Sequence, residues 1–206
     1  MIKLLVVSGS PVVGSSTDIL LHEIEGAIVG NLPSDRIEST FVKLNDMKFI
    51  PCQACGKAPT PDWCFFHDDL DKVYSLVAEC DCLLFGSPIY FDSVSAQAKA
   101  FMDRCNCFRP VDFDDTQPNH HFVKRLKRKR PGAIVLVGGA NQWMEGARRS
   151  IAGFFKWIEV TNEGVVTYAT TDDNRIGTVK EDREALNRAQ ETGKHLASLL
   201  AKTHEA

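Results

Sequence analysis

The feature that most constrains the fold is the alternation of short apolar runs with longer segments that are apolar on one side. The first run, Ile2–Val7, is almost continuous and ends at the turn sequence Ser8-Gly9-Ser10-Pro11. Such runs are typical of strands buried on both faces of a parallel sheet. Further strands are predicted at 36–44, 81–85, 133–137 and 164–168, and helices at 18–29, 68–79, 93–106, 145–158 and 180–202. This order predicts an α/β fold, a doubly wound, five-stranded parallel sheet with helices on both faces.

Composition and charge narrow the class of protein further. The 206 residues are 44% hydrophobic and 25% charged, an ordinary globular balance that excludes a disordered chain. No repeat or linker divides the chain, so a single domain over 1–206 is expected. A net charge of -3 offers no general attraction to nucleic acid or to an anionic membrane, and neither is expected as a partner. The first apolar run is too short for a signal peptide or a membrane span, so a cytoplasmic location is expected.

The loop after the first predicted strand has the properties of an anion site. Ligands of open α/β sheets bind beyond the carboxyl ends of the strands, which directs attention to loops 8–17, 87–93 and 138–145. Loop 8–17 opens directly into a helix, with Thr17 as the candidate cap, where unpaired N–H groups and the helix dipole favour an anion. Without a Walker lysine or G-x-G-x-x-G spacing, a terminal phosphate monoester fits better than a triphosphate or a dinucleotide. The alternative interpretation is an ordinary helix cap rich in Ser and Thr. Four hydroxyls would donate to the phosphate, those of Ser10, Ser15, Ser16 and Thr17.

Two aromatic residues follow the third predicted strand. Tyr90 and Phe91 stand in loop 87–93, where a planar ring could stack on them or meet their edges. The alternative interpretation is that both rings pack under the neighbouring helix as part of the core. A phosphate loop in the neighbouring strand position favours the first interpretation.

Three motifs resemble those of a known family. They are Gly9-Ser10-Pro11 with Ser16-Thr17, the sequence GSPIYF at 86–91, and the sequence SAQAKAFMDR at 95–104. Together they resemble the flavodoxin-like NAD(P)H-dependent FMN reductases, in particular the branch that includes the iron–sulfur flavoproteins. The resemblance covers nearly the whole chain. It implies a flavodoxin-like sheet with strand order 2-1-3-4-5, FMN bound without a covalent link, and a homodimer or homotetramer.

The resemblance also implies an activity. NAD(P)H would pass hydride to FMN, and a small acceptor such as a quinone, a nitro or azo compound, or free flavin would take the electrons. The alternative is an electron-transfer flavoprotein that works with protein partners, with an iron–sulfur cluster or metal at its cysteine loop. Tyr90 is the candidate catalytic side chain, as a hydrogen-bonding group on the acceptor side.

Cofactor-binding residues are carried over from the family by position. The first loop would hold the phosphate, and because Val12 and Val13 stand where family members often have a basic residue, amides and hydroxyls would do this alone. The later loops would flank the isoalloxazine, with Asn141 nearby. The implied FMN-binding residues are Ser8, Ser10, Val12, Ser15, Ser16, Thr17, Pro88, Ile89, Tyr90, Phe91, Gly139 and Ala140.

A cysteine-bearing loop at 45–64 is the most unusual local feature. The iron–sulfur branch has C-x2-C-x2-C-x5-C here, four thiolates for a cluster. This chain keeps Cys52, Cys55 and Cys64 but has Ala58 at the third position. Three interpretations stay open: plain thiols without metal, a cluster held by three thiolates, or zinc with a fourth ligand such as His67.

Overall fold

The strands form one main sheet and one short hairpin. The computed structural model describes residues 1–112, 121–170, 172 and 175–205. The five long strands lie parallel in the order β2-β1-β3-β7-β8, which confirms the predicted order 2-1-3-4-5. The short β4 adds an antiparallel sixth strand beside β3, and β5 pairs with β6. In chain order the strands are β1 (Ile2–Ser8), β2 (Ile37–Lys43), β3 (Cys82–Tyr90), β4 (Ser93–Val94), β5 (Val111–Asp112), β6 (His121–Phe122), β7 (Arg130–Gly139) and β8 (Val160–Thr170).

Helices cover both faces of the main sheet, as predicted. Side chains alternate along β1, so that Leu4 and Val6 join the core on one face while Leu5 and Val7 join the core on the other. The first core contains side chains of α1 and α5, and the second contains those of α2, α3 and α4. The long helices are α1 (Ser16–Gly30), α2 (Leu70–Glu79), α3 (Ala96–Arg104), α4 (Glu145–Trp157) and α5 (Arg183–Glu205). No helix in the described part of the chain is long and apolar enough to cross a bilayer.

The start of α1 differs from the prediction. The helix begins at Ser16, and its N-cap is Ser15, whose hydroxyl accepts a hydrogen bond from the Asp18 amide at 3.2 Å. The predicted cap Thr17 is therefore wrong: it lies inside the first turn. Apolar periodicity reveals only the residues that face the core, so it placed the start of the helix too late.

Strand β3 is longer than predicted and continues through Gly86, Ser87 and Pro88 to Tyr90. The pairing of β1 with β3 ends at Ser8 and Gly86. Of the two long strands beside β3, only β7 therefore still pairs with it at Pro88. Proline is tolerated in a strand under this condition. A Cβ atom at Gly86 would come 2.8 Å from the side chains of Leu21 and Thr17, so glycine is what lets α1 pack directly against β3.

Candidate functional site

A cavity of about 540 Å³ lies at the carboxyl ends of the parallel strands. Its lining includes residues of the three segments that the sequence singled out: the loop after β1, the end of β3, and the end of β7 with the loop that follows it. We call it the sheet-edge cavity. The structure brings together these predicted residues in its lining: Ser10, Val12, Ser15, Ser16, Thr17, Pro88, Ile89, Tyr90, Gly139, Ala140 and Asn141.

The hydroxyls of the first loop differ in how they are already used. The Ser15 hydroxyl caps α1, and the Ser16 hydroxyl accepts a hydrogen bond from the Val179 amide at 3.3 Å. The Ser10 hydroxyl oxygen accepts one from the Val12 amide at 3.2 Å. The Thr17 hydroxyl is buried and has no partner within the described residues. An unpaired buried hydroxyl costs about 1–3 kcal/mol, so one beside a helix N-terminus fits a cradle for an anionic acceptor such as a phosphate.

Two predicted residues lie outside the lining. Ser8 is fully buried, and its hydroxyl donates to the Asp18 carboxylate at 2.5 Å and accepts from the Ser10 amide at 3.2 Å. It supports the loop from behind. Phe91 is fully exposed, with a left-handed backbone at a φ of 51°. Because Tyr90 is also 44% exposed, the alternative interpretation that both rings belong to the core is wrong.

A fourth loop, which the sequence interpretation missed, completes the sheet-edge cavity. It follows β8 and contributes Thr170, Asp172, Arg175 and Gly177, among others. Ligands of open α/β sheets bind beyond the carboxyl ends of the strands, and this rule applies to the end of β8 as it does to β1, β3 and β7. The loop after β8 could therefore have been predicted from the sequence. Arg175 brings a positive charge to the lining, although its guanidinium also pairs with Glu181.

A buried ion pair lies behind the first loop. The Lys43 and Asp18 side chains are 10% and 9% exposed, and they form a salt bridge. The Lys43 ammonium also donates to the Val12 carbonyl at 2.7 Å. The lysine therefore holds the backbone of the first loop from behind and lies outside the lining of the sheet-edge cavity. Because Lys43 is 31 residues from Val12 in the chain, no local sequence pattern indicates this contact.

The cysteine loop lines a separate cavity of about 390 Å³. Cys52, Cys55 and Cys64 all lie in its lining, but His67 does not. The His67 ring is exposed and lies 3.0 Å from the Asp71 carboxylate. Within the described ranges, no three His, Cys, Asp or Glu residues are placed to hold a metal ion. The structure therefore does not assemble the zinc set with His67.

Comparison with known proteins gives a consistent result. The sequence model of the family described as NADPH-dependent FMN reductase matches residues 2–171 of this chain. An iron–sulfur flavoprotein of Methanocaldococcus jannaschii is 30% identical over 203 residues, 96% of this chain and 97% of that protein. RosB with a bound 8-demethyl-8-formylriboflavin-5'-phosphate has a TM-score of 0.72 at 14% identity, covering 98% of this chain and 81% of that one. A flavone reductase has a TM-score of 0.68 at 16% identity, and this chain spans 65% of its length. The two solved structures show a shared fold.

Proposed function

Because this chain belongs to the NADPH-dependent FMN reductase family, we propose that it binds FMN in the sheet-edge cavity and passes electrons from NAD(P)H to a small acceptor. The acceptor classes that we propose are quinones, nitro or azo compounds, and free flavin. The observation that carries the location is the buried Thr17 hydroxyl at the N-terminus of α1, which has no partner among the described residues and lies beside a cavity whose lining includes the half-exposed Tyr90 ring.

The residues present fit FMN at both ends. The phosphate would be held by the Ser10 and Thr17 hydroxyls and by first-turn amides of α1, with Arg175 adding positive charge. The ring would lie between the loops after β3 and β7. In the second of these, the Gly139 amide donates to the Gln142 side-chain oxygen at 2.7 Å, which fixes the loop in position. Gly138 leaves room for this hydrogen bond, because a Cβ atom there would come 2.9 Å from the Gln142 side-chain oxygen.

When bound, FMN supplies the hydride and electron chemistry, so the protein needs no acid or base of its own. The chain's contribution is to orient the two substrates at one exposed face. Tyr90 lies at the cavity with its side chain 44% exposed, and we propose that its hydroxyl donates a hydrogen bond to the acceptor. Pro88 and Ile89 would exclude water from the side of the ring that faces β3.

A direct test of this function is flavin binding followed by reduction. We expect the purified chain to bind FMN and the bound flavin to lose its visible absorbance rapidly on addition of NADPH or NADH. Absence of FMN binding would contradict the proposed function. Binding without reduction by either nicotinamide would favour the alternative, an electron-transfer flavoprotein that works with protein partners.

The Thr17 hydroxyl gives a sharper prediction. A hydrogen bond to a charged group contributes about 1.5–3 kcal/mol, so Thr17→Val should raise the dissociation constant for FMN about tenfold to a hundredfold. Binding of riboflavin, which has no phosphate, should change little. Isothermal titration with both flavins measures the difference, and Thr40→Val on β2 is the matched control. An equal loss for both flavins would place the phosphate elsewhere.

We also propose that the chain forms a homodimer or homotetramer through the mouth of the sheet-edge cavity. Each of its four loops exposes a large apolar side chain, namely Val13, Phe91, Trp143 or Ile176. Phe91→Asp with Trp143→Asp should therefore reduce the mass measured by light scattering to that of a monomer. Val123→Asp, on an exposed side chain outside this face, is the control and should leave the mass unchanged.

A further inference from the structure

The cavity beside the cysteine loop, which we call the cysteine cavity, has a largely apolar wall. Its volume of about 390 Å³ falls within the range of about 300–1,000 Å³ that is typical of small-molecule sites. The wall includes the rings of Phe66, Phe122 and Trp157, and the centroids of the last two lie 5.0 Å apart. Thiols join this wall, and a free thiol behaves as a small apolar group. Such a wall suits the flat apolar body of a small molecule.

Three buried N–H donors on side chains of the same lining have no hydrogen-bond partner among the described residues. They are the Nε atoms of Arg104 and Arg109 and the Nε1 atom of Trp157. The Arg104 side chain is only 1% exposed. A buried donor without a partner is unfavourable, because folding has removed its water without replacing it. A lining with three such donors therefore suits a ligand that brings several acceptor atoms.

Positive charge exceeds negative charge around the cysteine cavity. Arg109 and Lys124 share a single carboxylate, that of Glu159, which lies behind the wall. Lys57 belongs to the lining and lies over the Phe65 ring, 4.6 Å from its centroid, with no carboxylate partner in the described ranges. The described part of the lining itself contains no Asp or Glu. This balance favours an anion over a neutral or cationic ligand.

Two of the three donors belong to side chains that contact each other. The Cζ atom of Arg109 lies 5.4 Å from the centroid of the Trp157 ring. The Nη2 atom of Arg109 is already engaged by the Glu159 carboxylate and by the Lys156 carbonyl at 3.1 Å, which leaves its Nε for a ligand. A carboxylate accepts from two donors at once through its two oxygens, and hydrogen bonds to a charged group are the stronger ones. This pair of donors therefore matches one carboxylate.

We infer that the cysteine cavity binds a small aromatic carboxylate, whose carboxylate accepts hydrogen bonds from Arg109 and Trp157 and whose ring lies against the apolar wall. An inorganic anion would leave that wall in contact with water, and an uncharged ring would leave the buried donors unpaired. The inference extends beyond the proposed function and does not depend on FMN binding, because the described linings of the two cavities share no residue.

The test is isothermal titration of the full chain with 2-naphthoate and with 2-naphthalenemethanol, an uncharged compound with the same ring, each with and without saturating FMN. Trp157→Phe removes one donor and keeps an aromatic wall. Trp143→Phe is the matched control, because Trp143 is 76% exposed and lies outside the described lining of the cysteine cavity. Lys57→Gln removes a cation at an exposed position and so tests the role of charge without disturbing the core.

We expect 2-naphthoate to bind with an affinity that FMN does not change, and the alcohol to bind at least about tenfold more weakly. Trp157→Phe should raise the dissociation constant for 2-naphthoate about tenfold. Lys57→Gln should raise it about twofold to fivefold, because an exposed charge contributes less, and Trp143→Phe should leave it unchanged. The inference is overturned if 2-naphthoate does not bind, if FMN displaces it, if the alcohol binds equally well, or if Trp157→Phe behaves like its control. Circular dichroism of each variant separates loss of the donor from misfolding.

Discussion

Replacing Lys43 with Met should destabilise the protein by about 3–5 kcal/mol and weaken FMN binding about tenfold. Among the described residues, the substitution leaves the buried Asp18 carboxylate with the Ser8 hydroxyl as its one side-chain partner. It also removes the Lys43 donor to the Val12 carbonyl and leaves that carbonyl with the Ser10 hydroxyl at 3.4 Å, so the phosphate loop loses its tether to β2. An unbalanced negative charge next to Thr17 would repel the FMN phosphate.

Urea unfolding and flavin titration measure the two effects of Lys43→Met. Lys99→Met is the matched control, because Lys99 pairs with Asp103 on the exposed surface of α3, where such a pair contributes about 0.3–0.5 kcal/mol. The double variant with Asp18→Asn removes both charges and should recover most of the stability. FMN should be affected more than riboflavin. A Lys43→Met variant that is as stable as the control would show that the pair does not support the loop.

Replacing Arg104 with Met should also cost about 3–5 kcal/mol, because it breaks a second buried ion pair. The Arg104 guanidinium lies 2.5 Å from the Asp68 carboxylate, and its side chain is 1% exposed. It also donates to the Ile50 carbonyl at 2.8 Å, two residues before Cys52, and to the Phe66 carbonyl at 3.1 Å, two residues after Cys64. Without it, the two carbonyls lose this donor, and the Asp68 carboxylate keeps only backbone N–H donors among the described residues.

Thermal unfolding measures the loss of stability in Arg104→Met, and limited proteolysis measures the exposure of the cysteine loop. We expect a lower melting temperature and new cleavage within 50–66. Arg149→Met is the control, since the Arg149 side chain is 77% exposed and its ion pair with Glu145 lies on the surface. Proteolysis that gives the same pattern for both variants would contradict the role of Arg104 as the anchor of the loop.

The sequence predicted the order of elements because buried parallel strands are read from local apolar runs. It did not predict contacts between distant residues. Lys43 behind the first loop and Arg104 against the cysteine loop share no local pattern with the residues that they contact, so no feature of the nearby sequence indicates either contact. The N-cap Ser15 was missed because a hydrogen bond to the Asp18 amide defines it. The extension of β3 past Pro88 was missed because it depends on where the pairing with β1 ends. Neither feature produces a periodic pattern of apolar residues.

The close fit at Gly86 has a consequence for how tightly a cofactor can bind. Since Thr17 and Leu21 press directly on β3, core packing fixes the first turn of α1 before any ligand arrives. Ordering a loose loop would consume part of the favourable energy of association, whereas a preorganised cradle avoids that entropic loss. The empty and loaded forms should therefore share one backbone here, with adjustments confined to side chains at the rim.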